Sequence, residues 1–331
     1  MNTDLKGPYH FDVFSDPRQV EAEAGRALDE LRAGVKNHAK SGDPRVLLPS
    51  LRLAIKAAEH ILSRGLADNQ VADGWGLCAD KMGELSRALN RATALVALLE
   101  AGAGPKAVAA LRGDVRIGYR SSVDGTDQPF CLYVPFDYTP EKRWPLMVRL
   151  HGMWTDSDEA QWTIQTFEWD REFVRYSPRG SFIEIYPYGR GNEGYREAGR
   201  HDLFDTMALA KELFNIDLDR VYLLGSSMGA AGAWRIGLQH ADQFAAMALV
   251  VGVYDWSLLE RAKPIPTVFI YGGLDSPERV TSPQETAAKL KELGWTVELI
   301  GHPESGHRIE TTDYQLSYYR FFGRHRRSKG G

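Results

Sequence analysis

Two hydrophobic patterns divide the chain near residue 112. Before it, apolar positions recur at helical spacing: Val20, Ala24, Ala27, Leu28, Leu31 and Val35 form one stripe, with charged residues between, ending at Gly42 and Pro44. Leu51, Leu53, Ala54, Ala57, Ala58, Ile61 and Leu62 predict a second helix. A third is predicted after Asp73 and Gly74, carrying Leu77, Met82, Leu85, Leu89, Ala92, Leu95, Leu98 and Leu99 until Gly102 and Gly104-Pro105 stop it, with a short helix over 105–111. Helices of this length can bury their stripes against one another. Residues 1–112 are therefore expected to form a helical bundle that serves packing, homo-oligomerisation or capping of a substrate entrance.

From 113 to 331 the pattern becomes short apolar runs separated by helical segments and Gly/Pro turns. Strands are predicted at 115–120, 130–135, 145–151, 181–186, 221–225, 246–251, 267–272 and 295–300, and helices near 202–214, 228–240, 257–262, 282–293 and 311–322. Runs such as VYLLG, MALVV and TVFIY lack alternation, as expected of strands covered on both faces. The repetition predicts a mainly parallel sheet in a three-layer α/β domain. The first two strands read as an antiparallel hairpin turning at Asp124-Gly125.

Composition narrows the function. Forty Lys and Arg against 44 Asp and Glu leave a formal charge of −4, with no global basic field to favour nucleic acid. Two cysteines, Cys78 and Cys131, are too few for a disulfide framework or a cysteine-built metal site. No apolar run reaches the ~20 residues of a membrane span, and MNTDLKGPYHFDVF has no signal-peptide core. The expectation is a cytoplasmic protein if Met1 is the natural start, and a secreted one if a leader has been removed. Spacings for metal or dinucleotide binding are lacking: there is no HExxH or CxxC, and GRGNEG does not open a nucleotide-binding helix. No cofactor is expected, and neither nucleic acid nor a membrane is expected as partner.

The chemistry concentrates in VYLLGSSMGAAGAW. Gly225-Ser226-Ser227-Met228-Gly229 satisfies G-x-S-x-G between a predicted strand and a predicted helix, the context in which a serine stands exposed on a sharp turn. Ser227 occupies the middle of the motif, and Ser226 is the rival. A serine hydroxyl needs a base, and the base an orienting acid, in the chain order Ser, Asp or Glu, His. His307, in the loop after the last predicted strand, is the candidate base, with His302 behind it; His240 reads as a helix end. Asp275, directly after TVFIYGG, is the candidate acid, with Glu304 and Asp255 as fallbacks. The oxyanion donors are expected to be the backbone N–H groups of Met228 and of Met153, in LHGMWTD. His151 reads as a structural hydrogen-bonding residue. Long polar and aromatic loops supply the substrate-binding candidates Trp154, Arg190, Tyr195 and Arg196, while Trp162 and Trp169 also suit the core of a helix near 157–175. Asp202 is expected at the start of helix 202–214, stabilising its positive end.

The set HGMW, GSSMGAAGAW, YGGLD and SGH over residues 115–323 resembles the α/β-hydrolase superfamily. More narrowly it is similar to polyhydroxybutyrate-depolymerase-like, feruloyl-esterase-like and prolyl-oligopeptidase-like hydrolases. That resemblance implies an α/β-hydrolase sheet domain, here following the all-helical N-terminal domain read from the apolar spacing, with Ser227 as nucleophile, Asp275 as acid, His307 as base, and oxyanion donors at Met153 and Met228. The expectation is a serine esterase working through an acyl-enzyme on a small-molecule ester, with an aromatic or sugar-linked substrate as one option; a peptidase or amidase and a non-catalytic scaffold are the alternatives. Ala230-Ala231 replace the paired glycines often found after such a serine, and the helical N-terminus is not the β-propeller of the peptidases.

Overall fold

A computed structural model describes residues 7–12, 14–39, 46–67, 70–72, 78–153, 181–309 and 313–327. Among these, the chain forms two compact units, one ending at Phe136 and the other beginning at Asp137.

In the first unit, α1 (Pro17–His38) opens at Asp16, whose carboxylate accepts the N–H groups of Arg18 and Gln19, and Pro17 takes the first helical position. Its buried stripe runs through Val20, Ala24, Ala27, Leu28 and Leu31, as the spacing predicts. The next helix, α2 (Leu47–Ser63), buries Leu48, Leu51, Ala54, Ala58 and Ile61 among others. A third helix, α3 (Lys81–Glu100), starts later than expected. Cys78–Asp80 forms strand β2, antiparallel to β1 (Gln70–Ala72), and Asp80 caps the helix by accepting the Met82 N–H at 3.1 Å. Asp73, Gly74 and Leu77 lie outside the described residues. A 3-10 turn, Pro105–Ala110, then leads into the hairpin of β3 (Gly113–Arg120) and β4 (Asp127–Val134), with Gly125 at φ 69° in its turn.

The compact division falls after this hairpin rather than at 112, because α2 packs directly on β3. A Cβ at Gly118 would lie 2.9 Å from the Pro49 carbonyl carbon, and Ser50 Oγ accepts the Gly118 N–H at 2.8 Å. A buried Glu84 joins α3 to the hairpin, pairing with Arg116 at 3.0 Å and with Arg87.

Among the described residues, the second unit holds six parallel strands. They are β5 (Trp144–Leu150), β6 (Ile183–Pro187), β7 (Ile216–Ser226), β8 (Ala246–Val250), β9 (Thr267–Gly272) and β10 (Val297–His302), in the order β10-β9-β8-β7-β5-β6. Except at the edge strand β10, which is half-buried, both faces are covered, which is why VYLLG, MALVV and TVFIY read as unbroken apolar runs. On one face Tyr222, Leu224, Ala248 and Val250 meet Tyr318, Tyr319, Phe321 and Phe322 of α7 (Asp313–Gly323), with the Tyr222 and Phe322 rings stacked at 4.7 Å. Burying each such ring contributes about 1.5–3 kcal/mol. On the other face lies α5 (Met228–Gln239), where Gly237 packs so close to Met247 that a Cβ would sit 2.7 Å from its sulfur.

Three boundaries differ from expectation. Helix α4 (Glu197–Leu213) begins five residues before the predicted start at 202, so Asp202 lies within it rather than at its positive end. Helix α6 (Pro277–Glu292) begins at Pro277, which suits a first helical position, and continues through Pro283 instead of starting near it. Residues 256–261 form a 3-10 helix capped by Asp255. The basic end is held as far as Arg327: Tyr222 donates to the His325 carbonyl at 2.8 Å and the Arg327 N–H to Asp219 O at 2.8 Å.

Candidate active site

Chain order in the second unit turns back at β5. From β5 the chain goes to β6 on one side, returns past it to β7 on the other, and then adds β8, β9 and β10 outward. The crevice at the carboxyl ends of β5 and β7 is thus the place where an open α/β sheet presents a site. Gly152 follows β5 and Ser227 follows β7, and the two meet there. A Cβ on Gly152 would lie 3.3 Å from Ser227 Cβ and 4.0 Å from its Oγ.

Ser227 stands in the turn between β7 and α5 with φ 54° and ψ −117°, a backbone conformation costly for a residue with a side chain. The turn tolerates it because its surroundings leave no alternative. The Ser227 N–H donates to Val250 O at 2.9 Å. A Cβ at Gly225 would come within 2.1 Å of the Gly229 carbonyl oxygen, and one at Gly229 within 2.1 Å of the Leu150 oxygen. The motif's glycines thus let α5 start against the strand ends, and its N-terminus favours negative charge beside the hydroxyl.

Asp275 follows β9 and His307 follows β10, two strands paired in register from Val297↔Thr267 to His302↔Gly272. Their loops are laced together: the Gly273 N–H donates to His302 O at 2.8 Å and the Leu274 N–H to Ser305 O at 2.9 Å. Glycine at 272 permits the approach, since a Cβ there would fall 2.1 Å from Gly306 O. Asp275 Oδ2 lies 2.7 Å from His307 Nδ1, and His307 Nε2 lies 3.0 Å from Ser227 Oγ. The Asp275 side chain is 5% exposed and its Oδ1 accepts the Ser276 N–H at 2.7 Å. A carboxylate only accepts, so Nδ1 carries the proton, leaving the Nε2 lone pair to face the serine hydroxyl. This arrangement can draw a proton from Oγ and hold the charge that results.

The rivals fall elsewhere. Asp255 caps the 3-10 helix through the Ser257 N–H, His240 ends α5, and Glu304 is exposed.

Among the described residues, neither Met153 nor Met228 gives its backbone N–H to a backbone acceptor. The Met153 side chain is 61% exposed. Trp154 lies outside the described residues, as do Trp162, Trp169 and the helix expected near 157–175.

Two substrate-binding expectations need correction. Tyr195 is fully buried and cannot stack on a ligand; its hydroxyl accepts the His151 N–H at 2.9 Å and donates to Pro187 O at 3.4 Å. Burial raises its pKa well above the ordinary tyrosine value. Arg190 pairs with Asp202, itself 1% exposed, so its charge is already committed within the protein. Arg196 is exposed at the N-cap of α4. The loop folds inward because Gly189, Arg190, Gly191, Gly194 and Tyr195 all take left-handed φ values, and its density of glycine was the available signal.

His151 is half-buried against this loop, with Nδ1 2.6 Å from Gly152 O and Nε2 2.9 Å from Tyr188 O. Burial pushes its pKa down, and the two carbonyls hold it partly back. Among the described residues no group of three His, Cys, Asp or Glu is placed to hold a metal ion, and no helix is long and apolar enough to cross a membrane.

The prolyl oligopeptidase family matches residues 159–266, a span that contains Ser227 but neither Asp275 nor His307. The bifunctional acetylxylan esterase/xylanase of Neocallimastix patriciarum is 27% identical over 157 residues, 46% of this chain and 22% of that protein. A thermostable esterase superposes with a TM-score of 0.53 at 23% identity, covering 65% of this chain and 63% of that one. The BES protein of Bacillus cereus gives 0.50 at 16% identity, covering 64% and 96%. The chain therefore spans about a fifth of the first relative and under two thirds of the second.

With its doubly wound parallel sheet and its serine at the strand-to-helix turn, the second unit has the α/β-hydrolase fold.

Proposed function

We propose that the protein hydrolyses carboxylic esters through a Ser227–His307–Asp275 triad and an acyl-enzyme. One observation carries the reading: the unbroken hydrogen-bonded series from Asp275 Oδ2 through both nitrogens of His307 to Ser227 Oγ, at 2.7 and 3.0 Å. His307 takes the Oγ proton as the serine attacks the acyl carbonyl, and Asp275 stabilises the imidazolium that forms. The tetrahedral oxyanion is received by the N–H groups of Met153 and Met228, reinforced by the α5 N-terminus. His307 then protonates the leaving alcohol, and water, activated by the same imidazole, releases the acid.

An ester is favoured over an amide because an alkoxide leaves with less assistance. The acetylxylan esterase relative supports a sugar-linked acyl group as the first substrate to try. The prolyl oligopeptidase match supports a second reading, a peptidase acting through the same residues. The test is turnover of p-nitrophenyl acyl esters, acetylated and feruloylated sugars, and aminoacyl and prolyl amides by wild type and S227A. Ester turnover lost in S227A is expected. Amide turnover without ester turnover would favour the peptidase, and no turnover of either by folded wild type would sink both.

A further inference from the structure

The oxyanion loop is held from behind by a device to which neither the triad nor the relatives assign a part. His151 meets three oxygens: its backbone N–H donates to the Tyr195 hydroxyl at 2.9 Å, while Nε2 lies 2.9 Å from Tyr188 O and Nδ1 2.6 Å from Gly152 O. Both ring nitrogens face carbonyl oxygens, which only accept, so a neutral ring can donate to one of them. Opposed lone pairs repel more at 2.6 Å than at 2.9 Å, and the proton therefore belongs on Nδ1.

The oxygen it reaches belongs to the peptide unit joining Gly152 to Met153. Cis peptide bonds are absent from the described chain, and in a trans unit C=O and N–H point to opposite sides of one rigid plane. Fixing the Gly152 oxygen therefore fixes the direction of the Met153 N–H, and a hydrogen bond on the oxygen also polarises the amide as a donor. Gly152 borders Ser227 with no room to spare.

We propose that His151 is a positioning residue that aims the Met153 N–H at the developing oxyanion through the Nδ1–Gly152 bond, with Tyr195 holding His151 in place. This rests on the hydrolase reading above.

The experiment compares H151A, H151N and H151Q with wild type for kcat, KM and thermal midpoint on p-nitrophenyl acetate. Asparagine places an N–H donor where Nδ1 stands, whereas glutamine reaches toward Tyr188 and abandons Gly152. Losing one oxyanion donor outright lowers kcat about 10²–10³-fold, so misaiming one should cost about 10–100-fold. H151A and H151Q are expected to lose kcat to that extent with KM within about twofold, while H151N recovers most of it. H151Q retaining more kcat than H151N would make the ring a structural bridge and overturn the proposal. So would an H151A kcat within twofold of wild type. The hydrolase reading is judged separately by S227A, whose loss of turnover does not depend on His151; an inactive wild type would overturn both.

Discussion

Replacing Gly272 by alanine tests whether the triad depends on two loops approaching at backbone distance. The added Cβ would lie 2.1 Å from Gly306 O and 2.5 Å from Ser305 O. Non-bonded carbon and oxygen settle more than 3 Å apart, and neither obstacle is a flexible side-chain end, so the 303–306 loop must retreat by about 1 Å. His307 is the next residue, and its Nε2 now sits 3.0 Å from Ser227 Oγ. Misplacing a reacting group by 1 Å costs on the order of 10²-fold in rate. Overpacking of this kind costs about 1–3 kcal/mol in stability, which the protein should survive. The assay is kcat on p-nitrophenyl acetate, with the thermal midpoint to show that G272A is folded. G25A is the control, because a Cβ there meets nothing within 4 Å, and it should leave kcat alone. A folded G272A with wild-type kcat would refute the argument that this glycine sets the His307 position.

Three further outcomes follow from the same contacts. D275N keeps the shape of the site but permits the wrong His307 tautomer, so kcat should fall about 10⁴-fold with little change in thermal midpoint; a loss under tenfold would remove Asp275 from the mechanism. R116M strips Glu84 of a buried partner, leaving Arg87, and should lower stability by about 3 kcal/mol in urea unfolding; an unchanged midpoint would contradict the buried pair. At Asp217, burial pushes the carboxyl pKa up, but hydrogen bonds from Arg220 and the Asp219 N–H, with the charges of Arg220 and Arg143, outweigh it and hold the value below the ordinary range. That stabilisation is present above the unfolded aspartate value and lost as pH falls through the lower folded one. D217N should therefore flatten the acid limb of the stability–pH curve, and an unchanged limb would refute it.

The parts of this site legible in the sequence were those with a local cause. The serine turn needs glycine at 225 and 229 because a strand end and a helix start touch there, and that demand leaves a five-residue mark. Asp275 and His307 could be ranked because each follows an apolar run that ends at the same edge of the sheet. Tyr195 and Arg190 were misjudged for the opposite reason. A polar, glycine-rich loop reads as surface, and only the left-handed backbone at five of its positions turns the tyrosine under the His151–Gly152 turn and the arginine onto Asp202. The early start of α6 was not legible because a proline normally interrupts a helical pattern, yet the helix runs from Pro277 through Pro283. The hairpin's place with the helices was invisible because it depends on Gly118 meeting Pro49, a contact between residues far apart in sequence.

The central claim is that Ser227 is a nucleophile activated by His307. Its most direct test is reaction of the folded protein with a fluorophosphonate, followed by intact mass and peptide mapping. The account predicts one adduct, located on Ser227, absent in S227A and formed far more slowly in H307A. An adduct on Ser226 or elsewhere, or none on folded wild type, would contradict it.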